Sequence, residues 1–259
     1  MNAYASELEG VRALAVELAK RAGDQLVSAH HLRLGVQTKS SASDWVSDAD
    51  RTAERTIVDE LARTRPNDGI LGEEGSFHES ANGWTWVIDP LDGTSNYLRG
   101  YPGWAVSIAV ERHGDTVVGI VHDPTARRTY QAVSGEGAQR NGQPITTSDC
   151  GDLSSAIIGT GFSYHSPQRA RQGARLASLL PLVADIRRGG SAALELCHVA
   201  DGSLDGFFED DLEKWDWAAG ALIVEEGGGE VIPIHGDAIS GVVAASRQLL
   251  AAMSSALGY

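Results

Sequence analysis

Residues 84–97 read WTWVIDPLDGTSNY, and this stretch carries two carboxylates, Asp89 and Asp92, at the end of an apolar run. A strand over WTWVID brings Asp89 to a sheet edge. Pro90 removes one backbone donor and forces an extended turn. Asp92-Gly93 then turns the chain, and a helix is expected from Gly93 onward. Its first N–H groups lack intrahelical partners and suit an anion. Two hard oxygen ligands beside a phosphate cradle match Mg²⁺, which commonly bridges carboxylates and substrate phosphates. Taken alone, the segment reads equally as a turn, because Asp-Gly pairs turn chains and Asp caps helices.

Three further acidic clusters stand elsewhere in the chain: Glu73-Glu74 in ILGEEGSF, Asp48, Asp50 and Glu54 in SDADRTAE, and Asp216 in EKWDWAAG. Each has a plainer reading by itself: a solvated loop, a helix start whose acids face the positive dipole end, and a helix cap. One covalent chemistry is excluded. A nucleophilic aspartate of the haloacid dehalogenase type needs Asp-x-Asp-Gly-Thr, and Pro90 occupies the position of its first Asp.

The elements that must position these groups follow from periodicity. Leu8, Val11, Leu14, Leu18, Ala22 and Leu26 recur every three or four residues and predict a long helix. A second helix carries Ala53, Ile57 and Leu61 and ends before Pro66. DGILGEEGSF is a short strand entering a polar loop. Two strands flank His113-Gly114-Asp115, and another pair lies in RTYQAVSGEGAQRNGQPI, where Asn141-Gly142 signals a tight turn. After Cys150 strands and helices alternate, ending in a helix over QLLAAMSSALGY. This change of pattern divides the chain into an N-terminal α+β part, residues 1–150, and a C-terminal α/β part, residues 151–259.

Composition bounds the partners. The 259 residues are 42% hydrophobic with a mean hydropathy of -0.17, ordinary for a soluble protein with a sizeable core. A net charge of -14 disfavours nucleic acid, which needs clustered Lys and Arg. Bare acid also repels a phosphorylated substrate, unless bound cations invert the local field. No apolar stretch reaches the roughly 20 residues of a membrane helix. The N-terminus lacks the basic head and apolar block of a signal peptide, so a cytoplasmic location is expected. Cys150 and Cys197 are read as free thiols.

Together GEEG at 72–75, WVIDPLDGTSNY at 86–97 and WDWAAGALIVEEGGG at 215–229 resemble the inositol monophosphatase family, Mg²⁺-dependent and lithium-sensitive sugar phosphatases. SDADRTAE at 47–54 and, more weakly, GGSAALELCHVADGSLDGFFE at 189–209 extend the resemblance, which runs from about Lys39 to Gly229. It implies a layered α/β/α/β sandwich, a homodimer, and two or three Mg²⁺ ions per active site. Glu73, Asp89 and the Leu91 carbonyl then resemble ligands of one ion, and Asp89, Asp92 and Asp216 those of a second. A third ion would be held through water near Glu73. Thr94 is similar to the family threonine that helps activate water, with Asp50 behind it; Glu73, Thr94 and Asp50 form the implied catalytic set, with Lys39 nearby. Gly93 and Thr94 would offer backbone N–H groups to phosphate, while Gly190, Ser191, Ala192 and Glu209 match positions on the sugar side. Glu74 would stand behind the ligands.

The implied activity is hydrolysis of a small polyol phosphate, foremost inositol monophosphate, by water that the cations make acidic. The sequence departs from the family pattern at Ala49, where threonine is frequent, without losing a ligand. Residues 47–74 also resemble the histidinol-phosphate phosphatase branch, which keeps that ester as an alternative. The acid-rich FFEDDLEKWD, with Asp210, Asp211 and Glu213 beside Glu209, reads as a solvated loop or as a wall facing a cationic substrate group. A further alternative is a binding or regulatory member that kept the fold and lost catalysis.

Overall fold

The protein was analysed as a computed structural model, which describes residues 3–30, 36–38, 45–236 and 239–259. Lys39 lies outside them. Helix α1 (Ala3–His30) precedes strands β1 (Val36–Thr38) and β2 (Trp45–Ser47) and helix α2 (Asp48–Thr64). Then come β3 (Gly69–Gly72), β4 (Phe77–His78), β5 (Trp84–Asp92), the short helix α3 (Thr94–Arg99), β6 (Ala105–Arg112), β7 (Asp115–Asp123), β8 (Arg128–Val133), β9 (Gly137–Arg140) and β10 (Gln143–Pro144). The remainder comprises β11 (Ile157–Thr160), α4 (Ser166–Leu179), β12 (Asp185–Arg187), α5 (Ala192–Ala200), β13 (Gly206–Asp210), α6 (Lys214–Glu226), β14 (Gly229–Gly236), β15 (Ile239–Ser246) and α7 (Leu250–Leu257).

Among the described residues, two large sheets organise the fold, beside the two-stranded β1–β2 pair. The first has eight strands in the order β10-β9-β8-β7-β6-β5-β3-β4, and the second has five in the order β12-β11-β13-β15-β14. Strand alternation sorts the apolar residues into separate cores. Trp84, Trp86 and Ile88 on β5, with Val106, Ile108 and Val110 on β6, pack under α1 and α2. Val87, Ala105, Ala109 and Val121 on the opposite face meet α5 and α6, which also contact Phe207, Val242 and Ala244 of the second sheet. Ile158, Phe208 and Val243 on that sheet's far face are covered by Leu179 of α4 and Leu250, Met253 and Leu257 of α7. The expected α/β/α/β order is present, and α4 and α7 close the outer face.

The middle layer matters most for function. Helix α6 is buried on all sides from Ala218 to Val224, which is why its apolar residues show no stripe. Small residues let it lie against the first sheet. A Cβ on Gly119 would stand 2.6 Å from the Ala219 carbonyl oxygen, so only glycine permits this approach. Several short strands escaped the sequence reading, β1, β2, β4 and β12 among them. β12 has no apolar alternation and only half-buries Ile186. The expected pair after β7 is three strands, because a second turn follows Val133 and separates β8 from β9. Both cysteines are free thiols, as expected, with Cys197 buried. No described helix is long and apolar enough to cross a membrane.

Candidate functional site

The first sheet brings Glu73 and Asp89 together. Strands β3 and β5 run parallel with Gly72 paired to Ile88, and the Glu73 N–H donates 3.1 Å to the Ile88 carbonyl. Strand β5 does not stop at Asp89. Its ladder with β6 shifts register between Asp89, opposite Ser107, and Asp92, opposite Ala105. In a regular strand, residues three apart face opposite ways. The extra residue of this bulge reorients the chain so that both aspartates serve the same side. Asp89 Oδ1 accepts from the Leu91 N–H at 2.9 Å, and the turn continues through Gly93, whose φ of 91° is a left-handed conformation that glycine adopts without strain. Helix α3 begins there, as expected, and Thr94 Oγ1 donates to the Leu91 carbonyl at 3.0 Å.

The middle helices supply the other side. Asp92 Oδ2 accepts from Ser191 Oγ at 2.6 Å and from the Ala193 N–H at 2.7 Å, at the start of α5. Ser191 also caps that helix through the Leu194 N–H and is buried, so the structure places this expected sugar-side residue on Asp92. Asp216 lies in the first turn of α6 in a reciprocal cap with Glu213, its Oδ2 accepting from the Glu213 N–H at 2.7 Å. Ser107, the partner of Asp89 across the ladder, donates to the Trp215 carbonyl at 3.3 Å and so ties α6 to β6. Lys214 pairs with the buried Glu111 at 2.5 Å and anchors the same helix start.

These carboxyls hold protons more tightly than free ones. Burial foremost, then the charges of Glu73, Asp92 and Asp216, push Asp89 well above the usual carboxylate range. Burial and then the charges of Glu73 and Asp92 do the same to Asp216. Burial lifts Asp92 to about 6, against the opposing hydrogen bonds from Ser191 and Ala193. The closeness of the Glu73 carboxyl adds to the rise of Asp89. Several acids crowded in low dielectric either keep protons or take cations. Their hard oxygens fit Mg²⁺. Among the described residues, no three acidic, histidine or cysteine side chains stand at ion-enclosing spacing. Water, the Leu91 carbonyl and phosphate oxygens would complete the shell, consistent with the preference of Mg²⁺ for few protein ligands.

A cavity of about 420 Å³ opens over the cluster. Glu73, Asp92, Gly93 and Asp216 line it, as do Gly190, Ala192 and Glu209. Asp89 lies buried beneath, and Asp50 is buried in the first turn of α2. Burial first, then the charge of Asp50, raises the Tyr97 phenol to about 12, which sets that carboxylate close to α3. Glu209 is lifted to about 8 by burial and by the Asp92 charge.

The sequence reading missed several contributors. Glu54, read only as a helix acid, is buried and accepts from the Glu74 N–H at 2.8 Å and the Ser76 N–H at 3.0 Å, holding the Glu73 loop. FFEDDLEKWD is solvated in part: Asp211 and Glu213 are exposed and line the cavity, whereas Asp210 is buried. Trp215 packs against the core between the sheets and also lines the cavity, with Tyr164, Gln168 and Arg188. The acid run was the available signal for that wall; nothing marked residues 162–168.

Comparison with known proteins follows the same lines. The sequence pattern of the inositol monophosphatase family matches residues 7–258. The inositol-1-monophosphatase of Mycobacterium leprae is 44% identical over 235 residues, spanning 86% of this chain and 81% of that protein. The Nus factor SuhB of Pasteurella multocida is 38% identical over 226 residues, spanning 86% and 85%. The crystal structure of the extragenic suppressor protein suhB from Bartonella henselae superposes with a TM-score of 0.90 at 36% identity, over 96% of this chain and 98% of that one.

Proposed function

The chain belongs to the inositol monophosphatase family, and on that premise we propose that it is a Mg²⁺-dependent phosphomonoesterase acting on inositol monophosphate. The observation that supports this reading is the convergence of Glu73, Asp89, Asp92 and Asp216 at the cavity, with α3 beginning beside them. Glu73, Asp89, Asp92, Asp216 and the Leu91 carbonyl would hold the cations. When bound, Mg²⁺ supplies Lewis acidity that makes water acidic and offsets phosphoryl charge.

The chain's own groups do the positioning. Thr94 donates its proton to Leu91, so its oxygen lone pairs are left to orient the attacking water. Glu73 takes the water proton, and Asp50 fixes the charge behind α3. Gly93 and Thr94 offer backbone N–H groups to the phosphate. Water attacks phosphorus in line, the ester P–O bond breaks, the departing alkoxide takes a proton from solvent water, and Glu73 returns its proton to solvent. Gly190, Ala192 and Glu209 face the polyol, while Ser191 acts by holding Asp92. From the family we also infer a cytoplasmic homodimer inhibited by lithium.

A second reading, histidinol phosphate, is favoured by Glu209, Asp211 and Glu213 on the cavity wall, since three acids suit a cationic alcohol. The test is phosphate release from inositol-1-phosphate, histidinol phosphate and fructose-1,6-bisphosphate, each with and without Mg²⁺. Fastest Mg²⁺-dependent turnover of the inositol ester is expected; faster turnover of histidinol phosphate would replace the reading. The binding-only alternative, brought forward by the name of the Pasteurella relative, requires no release in any arm.

Glu54→Ala probes the support of Glu73. The Glu74 and Ser76 N–H groups lose their acceptor, and groups that orient ligands carry roughly 10–100-fold in metal affinity. The Mg²⁺ concentration for half-maximal turnover should therefore rise by about tenfold or more. An unchanged Mg²⁺ titration would refute this role.

A further inference from the structure

Two glutamines one helical turn apart join the loop after β11 to the end of β13, both of which line the cavity. Gln172 of α4 is 4% exposed, and its amide is used at both ends. Its Oε1 accepts from the Ser163 N–H at 2.7 Å, while its Nε2 donates to the Asp210 carbonyl at 2.8 Å and to Asp210 Oδ1 at 2.7 Å. Gln168, on the same face, repeats the pattern nearer the cavity. Its Oε1 accepts from Ser163 Oγ at 3.1 Å, and its Nε2 donates to Asp211 Oδ1 at 2.7 Å. Ser163 belongs to the wall formed by residues 162–165, and Asp210 and Asp211 directly follow Glu209.

The attachment of α4 depends on these bonds. Only Gln172 and, at the far end, Leu179 are buried on this helix, so apolar packing does not hold its first half in place. Asp211 has a φ of 73°, a left-handed conformation that is uncommon outside glycine and tolerated by Asp, and the Gln168 amide restrains it there. Arg175, one turn beyond Gln172, pairs with Asp210 Oδ2 and lies 4.6 Å from the Tyr259 ring centroid, which anchors the strand side of the clamp.

We propose that Gln168 and Gln172 are positioning residues for substrate selectivity. Strands β11 and β13 are paired only as far as Thr160–Phe208; beyond that the glutamines hold the 162–165 loop to Asp210 and Asp211 beside Glu209, and so favour phosphomonoesters whose alcohol is a ring polyol able to meet both the loop and Glu209. This rests on the phosphomonoesterase reading. Loosening the clamp acts first on the groups that meet the alcohol; the 162–165 loop reaches the phosphate end through one side-chain bond, Tyr164 Oη to Ser95 Oγ at 3.2 Å. A site built to hydrogen-bond hydroxyls loses discrimination when its donors and acceptors shift.

The test is Gln172→Met, which keeps length and burial and removes every amide bond, assayed with Mg²⁺ on inositol-1-phosphate and on p-nitrophenyl phosphate, whose flat leaving group has no hydroxyls. KM for the inositol ester should rise about tenfold with kcat within about twofold, and the kcat/KM ratio between the esters should fall about tenfold. Gln168→Ala, at a half-buried position, should lower that ratio about threefold, and it decides the matter alone if Gln172→Met does not melt cooperatively. Folded variants with an unchanged ratio, or equal losses on both esters, would overturn the clamp. Wild-type enzyme that cleaves p-nitrophenyl phosphate and not the inositol ester would sink the functional reading instead. The same ratio is then measured with the ester the turnover panel identifies.

Discussion

Asp89→Asn should lower Mg²⁺-dependent phosphate release by roughly a thousandfold or more, about 4 kcal/mol of transition-state stabilisation at 1.36 kcal/mol per decade. The same substitution should raise the melting midpoint in chelator. The two effects have one cause. Asp89 is 1% exposed and faces the charges of Glu73, Asp92 and Asp216. Its negative charge is costly until cations arrive, and it contributes to the field that draws them. Asparagine keeps the shape, and its amide oxygen can still accept from the Leu91 N–H. It removes the charge and replaces one potential ligand oxygen with an NH₂ group. Removing a buried like charge relieves repulsion in the cation-free protein. Steady-state rates and differential scanning calorimetry with EDTA check the pair. Wild-type turnover in the variant would end the metal assignment; a lower midpoint in chelator would contradict the electrostatic account.

The second large effect is a pH-dependent stabilisation by Mg²⁺. Asp92 titrates near 6 and Glu209 near 8 in the folded protein, and Asp89 and Asp216 are raised as well. Their unfolded values lie near 4. Below pH 4 both states are protonated, and the stability from these groups is fully present. Between pH 4 and 8 the unfolded chain gives up its protons first, so that stability is lost as pH rises through the folded values. The Asp92 shift from 3.8 to about 6 corresponds to up to about 3 kcal/mol, reduced by solvent screening of its half-buried carboxylate. In EDTA the melting midpoint should therefore fall from pH 5 to pH 8. Cations that replace protons in the folded site should reverse the fall, so the Mg²⁺-induced rise in midpoint grows over the same interval. Calorimetric titration in buffers of different ionisation heat should record proton release on Mg²⁺ binding, declining toward pH 8. A Mg²⁺ shift of constant size at every pH, with no protons released, would show that the cluster is already ionised.

Much of the site was legible before any tertiary contact was known. Helices over Leu8–Leu26 and Ala53–Leu61, strands around His113-Gly114 and the buried α6 all carry dense apolar signals, because core burial selects residue types at regular intervals. The motif residues Glu73, Asp89, Asp92 and Asp216 were named together through the family resemblance. Glu54 and the acid wall were read too blandly. A carboxylate that accepts backbone N–H groups from a distant loop looks, along the chain, like any helix acid.

The chain by itself determined which chemistry is available: hard oxygen ligands, a glycine turn at a helix start, and the local Asp89–Leu91 and Glu213–Asp216 bonds, each between partners two or three residues apart. Only the tertiary structure decided how those pieces meet. Parallel pairing of β3 with β5 sets Glu73 beside Asp89, and one extra residue in β5 turns Asp92 to the same side. Ser191 and Ser107 then fasten the middle helices to that edge, and two glutamines on α4 join the loop after β11 to the end of β13. The physical reason is range. Backbone conformation and capping depend on neighbours in sequence, whereas register, bulges and side-chain bridges join residues about a hundred positions apart, as Ser191 and Asp92 are, and leave no periodic trace in the chain.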